Sequence, residues 1–123
     1  MRATQSDYIL RLIEQLGAAL RRLRERLAGG HAEVADEVIL EAVDAQADLF
    51  GPLWEVIRTL DAETAASLIP ERERLSGWIE LLRLEADAAH LAGDEARASN
   101  TLTKATQLQT QLDSRPSPEG RYR

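Results

Sequence analysis

The side chains best suited to chemistry are two histidines, His31 and His90. Imidazole changes charge near neutral pH and ligates metals. Asp87 and Asp94 fall on the same helix face as His90. A metal centre needs more converging ligands than this, and the Glu-x-x-His pairs of di-iron bundles do not occur. The absence of Cys removes disulfides, thiolate metal sites and Cys nucleophiles. No nucleophile motif, phosphate loop or Rossmann glycine pattern is present. Carboxylates are plentiful, yet nothing in the sequence isolates a pair in an apolar pocket. The residues therefore point to no catalytic group, no cofactor and no metal, and to a protein that is not an enzyme.

Charge narrows the partners. Acids outnumber bases 21 to 15, so the net charge is −6 and a global attraction to nucleic acid or anionic membrane is not expected. The distribution is uneven. Residues 1–30 carry six Arg against three acids, and residues 31–50 carry six acids and no base. Arg21, Arg22, Arg24 and Arg26 crowd the end of the first helical run, where cations suit the negative end of a helix dipole. Opposed charge then favours pairing with Glu33, Asp36, Glu37, Glu41, Asp44 and Asp48 on the next helix, although each exposed pair contributes only about 0.2–1 kcal/mol.

These side chains must be positioned by helices. The apolar content is mostly Leu and Ala, which lose little on entering a helix. Ile9, Ile13, Leu16, Leu20, Leu23 and Leu27 recur at spacings of four and three, so one stripe runs along a first helix capped by Ser6 or Asp7. Gly17 lies inside that helix, which implies a close helix neighbour. Gly29 and Gly30 end it. A second helix, from about His31 to Leu49, turns Val34, Ala35, Val38, Ile39, Ala42 and Ala45 inward. The two-residue connection makes the pair antiparallel. Pro52 opens a short helix with Leu53, Trp54, Ile57 and Leu60 on its apolar face, and Asp61 caps another over 62–69. Pro70 begins a long helix to about Ala92, and a last one over 94–112 turns Ala98, Leu102, Ala105 and Leu112 inward. Trp54 and Trp78 are expected as core anchors. The expectation is one domain over 1–112: a hairpin over 7–49, short helices over 52–69 and a hairpin over 70–112. A disordered tail is expected over 113–123.

Leu-Ala-Gly occurs at Leu27-Ala28-Gly29 and again at Leu91-Ala92-Gly93. The set Ala86, Ala89, Gly93, Ala98, Leu102 and Ala105 resembles a tetratricopeptide hairpin, which puts small residues where its two helices cross. The first hairpin departs from that pattern, since Arg21 and Arg22 stand where small or apolar residues belong. The opening Asp7-Tyr8-Ile9-Leu10-Arg11-Leu12-Ile13-Glu14-Gln15 is similar to the start of an uncharacterised bacterial family of small tetratricopeptide-like helical proteins. The resemblance implies a fold and no activity.

The sequence thus predicts an all-α fold of two antiparallel helical hairpins joined by short helices, tetratricopeptide-like. The expected role is a non-enzymatic scaffold or adaptor that binds a peptide or helix of an unknown protein, or its own copy as a homodimer. Candidate partner-binding residues are Tyr8, Arg11, Gln15, Arg22 and Arg26. Two alternatives stand beside this reading. One is a small-ligand-binding protein or enzyme accessory subunit; the other is membrane-surface association through the first helix. Arg11 and Glu14 interrupt the apolar stretch from Tyr8 to Leu20, so no leader peptide is read there. No apolar run reaches the length of a membrane span, so neither nucleic acid nor integral membrane insertion is expected and the location expected is cytoplasmic.

Overall fold

A computed structural model describes residues 2–116, with side chains from Asp7 onward, and the described residues are all-α without a strand. The helices are α1 (Arg2–Ala28), α2 (Ala32–Phe50), α3 (Trp54–Ile57), α4 (Ala62–Ser67), α5 (Arg72–Leu91) and α6 (Glu95–Asp113), with a 3-10 turn over Gly51–Leu53. Helix α1 begins earlier than its capping residues suggest. No Gly or Pro separates Arg2 from Ser6, so nothing stops the helix running back through Ser6 and Asp7. Helix α5 begins at Arg72, two residues after Pro70, with Glu71 as its cap residue.

Eleven residues of α5 are buried, including Leu81, Leu84 and Ala88 on faces away from its main stripe. It is therefore the central helix. Helices α1 and α2 pack on one side of it and α6 on the other, and α6 also packs on α4. The core joins Leu16, Leu20 and Leu23 of α1 to Val38, Ile39 and Ala42 of α2 and to Leu75, Trp78, Ile79 and Leu82 of α5. Each large side chain buried here contributes about 1.5–3 kcal/mol.

The Leu-Ala-Gly turns are not equivalent. After α5, Gly93 takes φ 85° and the Asp94 N–H donates to the Ala89 carbonyl at 2.9 Å, a Schellman closure. After α1 the left-handed position falls one residue later, on Gly30 at φ 70°. The two hairpins thus share a tripeptide but not its turn geometry.

Gly17 has no close helix neighbour, contrary to expectation. A Cβ built there meets only the end of Arg21, at 3.6 Å. The tight crossing lies at Gly77 instead, where a Cβ would sit 2.0 Å from Leu16 Cδ2. The intimate α1–α5 contact is made by a leucine on α1 seated against a glycine on α5.

Basic side chains secure the short helices by binding carbonyls at helix ends. Arg74 donates from Nε and Nη2 to the Leu49 carbonyl at 3.0 and 2.7 Å, closing α2. Lys104 donates to Leu60, just past α3, at 3.1 Å. Arg115 donates to Ala66 and Ile69 at the end of α4. Unpaired carbonyls and the helix dipole both favour a cation at such ends. The last contact corrects the expected tail: Asp113 completes α6 and Arg115 is docked on α4. Residues 117–123 of that tail lie outside the described residues.

Candidate functional site

Helix α6 packs extensively on neither α1 nor α2, so a groove opens on each side of α5. The two differ in chemistry because different residues of α5 and α6 line them.

The α1–α5–α6 groove has a volume of about 810 Å³. Leu27, Leu84, Ala86, Leu91, Ala98 and Leu102 supply an apolar lining. Leu102, expected to face inward, is 50% exposed. Leu108 is buried in the α6 core stripe instead. The buried stripe of Ala98, Ala105, Leu108 and Leu112 centres about 80° around the helix from Leu102, at 100° per residue. The rim carries Arg24, Asp87, His90 and Glu95. Arg24 pairs with Glu80 at 3.1 Å and His90 with Glu95 at 2.9 Å. Asp87 has no basic partner among the described residues, so the rim is acidic on balance. Asp87, His90 and Glu95 line an open groove, not a closed pocket, and no three His, Asp or Glu among the described residues gather as a metal site requires.

The α2–α5–α6 cleft has a volume of about 410 Å³ and is polar and aromatic. A buried hydrogen-bond chain forms its floor. Trp78 Nε1–H donates to Gln46 Oε1 at 3.0 Å, and Gln46 Nε2 donates to Glu85 Oε1 at 2.8 Å. Arg97 donates from Nε to Glu85 Oε2 at 3.1 Å. The indole can only donate, so it fixes which end of the Gln46 amide faces Glu85. Glu85 is 7% exposed, and Gln46 and Arg97 satisfy both its oxygens, as a buried carboxyl group requires. Trp78 is the fully buried core anchor, at 1% exposure, and Trp54 is half-buried, packed against the core from the cleft wall. Phe50 stacks on Trp54, with ring planes 7° apart, and meets Trp78 edge-on.

The residues singled out in the sequence fall in two places on α1. Arg22 and Arg26 face α2 and are engaged: Arg26 donates to Glu41 and, at 2.9 Å, to Glu37, while Arg22 lies 3.8 Å from Glu41 Oε2. Its two carboxylate partners raise the Arg26 pKa above the ordinary value. Tyr8, Arg11 and Gln15 are exposed at the other end, Tyr8 about 27 Å from Arg26 along the helix. The set makes no single site, and none of it lines either groove beside α5. Of the cleft residues, Trp78 is expected from the sequence only as a core anchor, and the sequence does not single out Gln46, Glu85 or Arg97; the positions of Gln46 and Glu85 on the buried faces of α2 and α5 are the only signal, and Arg97 is exposed and gives none.

Compared with known proteins, the chain matches no family profile, no curated protein and no solved structure.

Proposed function

We propose that this protein is a non-enzymatic binding module whose α1–α5–α6 groove receives an amphipathic helix from a partner protein. The observation that carries the reading is the half-exposed Leu102 above a lining of Leu84, Leu91 and Ala98, open to solvent between two helices that do not close over α5. A helix laid there would pack on α1, α5 and α6 as an added member of the bundle, at the usual 8–10 Å spacing. The acidic rim favours Lys or Arg flanking the apolar face of the incoming helix. No helix among the described residues is long and apolar enough to cross a membrane.

The test is calorimetric titration with a synthetic helix of about four turns, Leu and Ala on one face and Lys on the other, against its Lys→Glu counterpart. The basic peptide is expected to bind at tens of micromolar, roughly −6 kcal/mol, and the acidic one to bind far more weakly. Leu102→Asp in the protein should weaken the basic peptide about tenfold or more. Equal binding by both peptides, or indifference to Leu102→Asp, sinks the reading.

A second reading, self-association through α1, is favoured by one observation. Ile9, Leu12 and Ile13 lie outside the core cluster, with Tyr8 and Leu10 exposed beside them. Mass by light scattering decides: a dimer lost on Ile9→Glu supports it, and a monomer at high concentration removes it.

A further inference from the structure

Lys104 is the chain's only lysine. It is also the one basic group of the α2–α5–α6 cleft that no carboxylate neutralises among the described residues. Arg58 pairs with Glu55 at 3.1 Å and Arg97 with Glu85 at 3.0 Å. Asp61 acts on Lys104 through its charge but makes no ion pair with it. An ammonium has three donors, and Lys104 gives one to the Leu60 carbonyl. Its Nζ stands 5.4 Å from the centroid of the Trp78 ring. The backbone contact and the ring together hold the ammonium in place, so little freedom is lost when a ligand engages it.

Trp54 supplies the second element. Its indole is fixed by Phe50 on one side and by the edge-on Trp78 ring at 6.2 Å, and it stays half-buried on the cleft wall. The cleft, at about 410 Å³, is open to solvent and has room for a single-ring ligand. We infer that this cleft binds a carboxylate carried on a flat apolar body, with the carboxylate on Lys104 and the body against Trp54. The placement follows from chemistry: a cation without a counterion in a partly desolvated cleft of a protein rich in acids, beside an aromatic surface of matching size. Burial also pushes the Lys104 pKa below the ordinary lysine value, a penalty on the charged form that a bound carboxylate offsets. The site is separate from the α1–α5–α6 groove, and its fate does not depend on that groove's occupant.

Both tryptophans of the chain line this cleft, so intrinsic fluorescence reports on it directly. The titrants are phenylacetate with phenylacetamide as its neutral partner, and acetyl-Phe-Glu-amide with acetyl-Phe-Gln-amide, each to about 10 mM, which reaches millimolar affinities. A saturable change with either acid and not with its amide supports the site. Response to phenylacetate alone assigns it to free aromatic acids; response to the peptide alone assigns it to acidic peptides. Lys104→Gln should weaken binding at least tenfold, whereas Lys104→Arg, which keeps the charge and controls for folding, should retain it. No saturable response to either acid overturns the inference, as does equal response to acid and amide or unchanged binding by Lys104→Gln.

Discussion

Gly17 and Gly77 make a matched pair of perturbations with opposite expected signs. Both lie inside helices, so replacing either by Ala gains about 1 kcal/mol of helix propensity. At Gly17 nothing opposes that gain, since the new methyl meets only the flexible end of Arg21 at 3.6 Å. Gly17→Ala should therefore stabilise by about 1 kcal/mol and raise Tm by about 3–5 °C for a chain of this size. At Gly77 the methyl would stand 2.0 Å from Leu16 Cδ2 and 3.1 Å from its Cγ. Ordinary carbon contacts are about 3.5–4.0 Å, so Leu16 must retreat by about 1.5–2 Å. Leu16 is buried against α5, so that retreat gives up part of its packing there. Overpacking of this kind costs about 1–3 kcal/mol, which leaves Gly77→Ala about 0–2 kcal/mol less stable than the parent. Urea unfolding followed by far-UV circular dichroism measures both. Leu16→Ala in the Gly77→Ala background should recover part of the steric loss, a coupling that a double-mutant cycle isolates. If Gly77→Ala stabilises as much as Gly17→Ala, the seating of Leu16 against α5 is wrong, and with it the registry of α1 on the central helix.

Other perturbations follow from named contacts. Glu85→Ala strands the buried Gln46 amide and frees Arg97, so chemical denaturation should show a loss of about 2–4 kcal/mol, with Glu85→Gln costing less. Arg115→Ala should cost about 1–3 kcal/mol through the α4 carbonyls it binds. Truncation after Leu112 should lose at least as much by the same measurement, because it removes Arg115. Asp61 caps α4 by accepting from Thr64 Oγ1 and from the Thr64 N–H, and these bonds hold its pKa below the ordinary 3.8. Its contribution is present above the unfolded value and is lost as pH falls through the lower folded one. Asp61→Asn, which keeps one acceptor oxygen and loses the charge, should therefore lower stability modestly at neutral pH and leave the acid region little changed, flattening the acid limb of a stability-against-pH curve.

The parts of the fold legible in the sequence rest on local signals. The Asp61 cap, the Gly93 turn and the bounds of α2 and α6 depend on residues within a turn of one another, and the many-sided burial of α5 followed from its apolar residues falling on several faces. Leu102, by its helical spacing from Ala98 and Ala105, is predicted to face inward. Its exposure depends on how narrow a stripe α6 presents to α5 and α4, which periodicity does not encode. The chain from Trp78 through Gln46 and Glu85 to Arg97 joins three helices, and no local pattern marks an amide and a carboxylate for burial together. Arg74, Lys104 and Arg115 were illegible for another reason: their partners are backbone carbonyls, identical at every position until the chain path selects one. A glycine inside α1 implies a close helix neighbour, but the glycine that meets one is Gly77 on α5.

We propose the groove between α1 and α6 as the binding surface. Amide chemical-shift mapping, with the basic amphipathic peptide titrated into isotope-labelled protein, tests it most directly. Saturable shifts should cluster on Leu27, Leu84, Leu91, Ala98 and Leu102, with the acidic exposed face of α2 around Asp36 and Asp44 unmoved. Shifts confined to that α2 face, or spread thinly over every acidic residue, would mean that the peptide reads only the net charge, and would contradict the account.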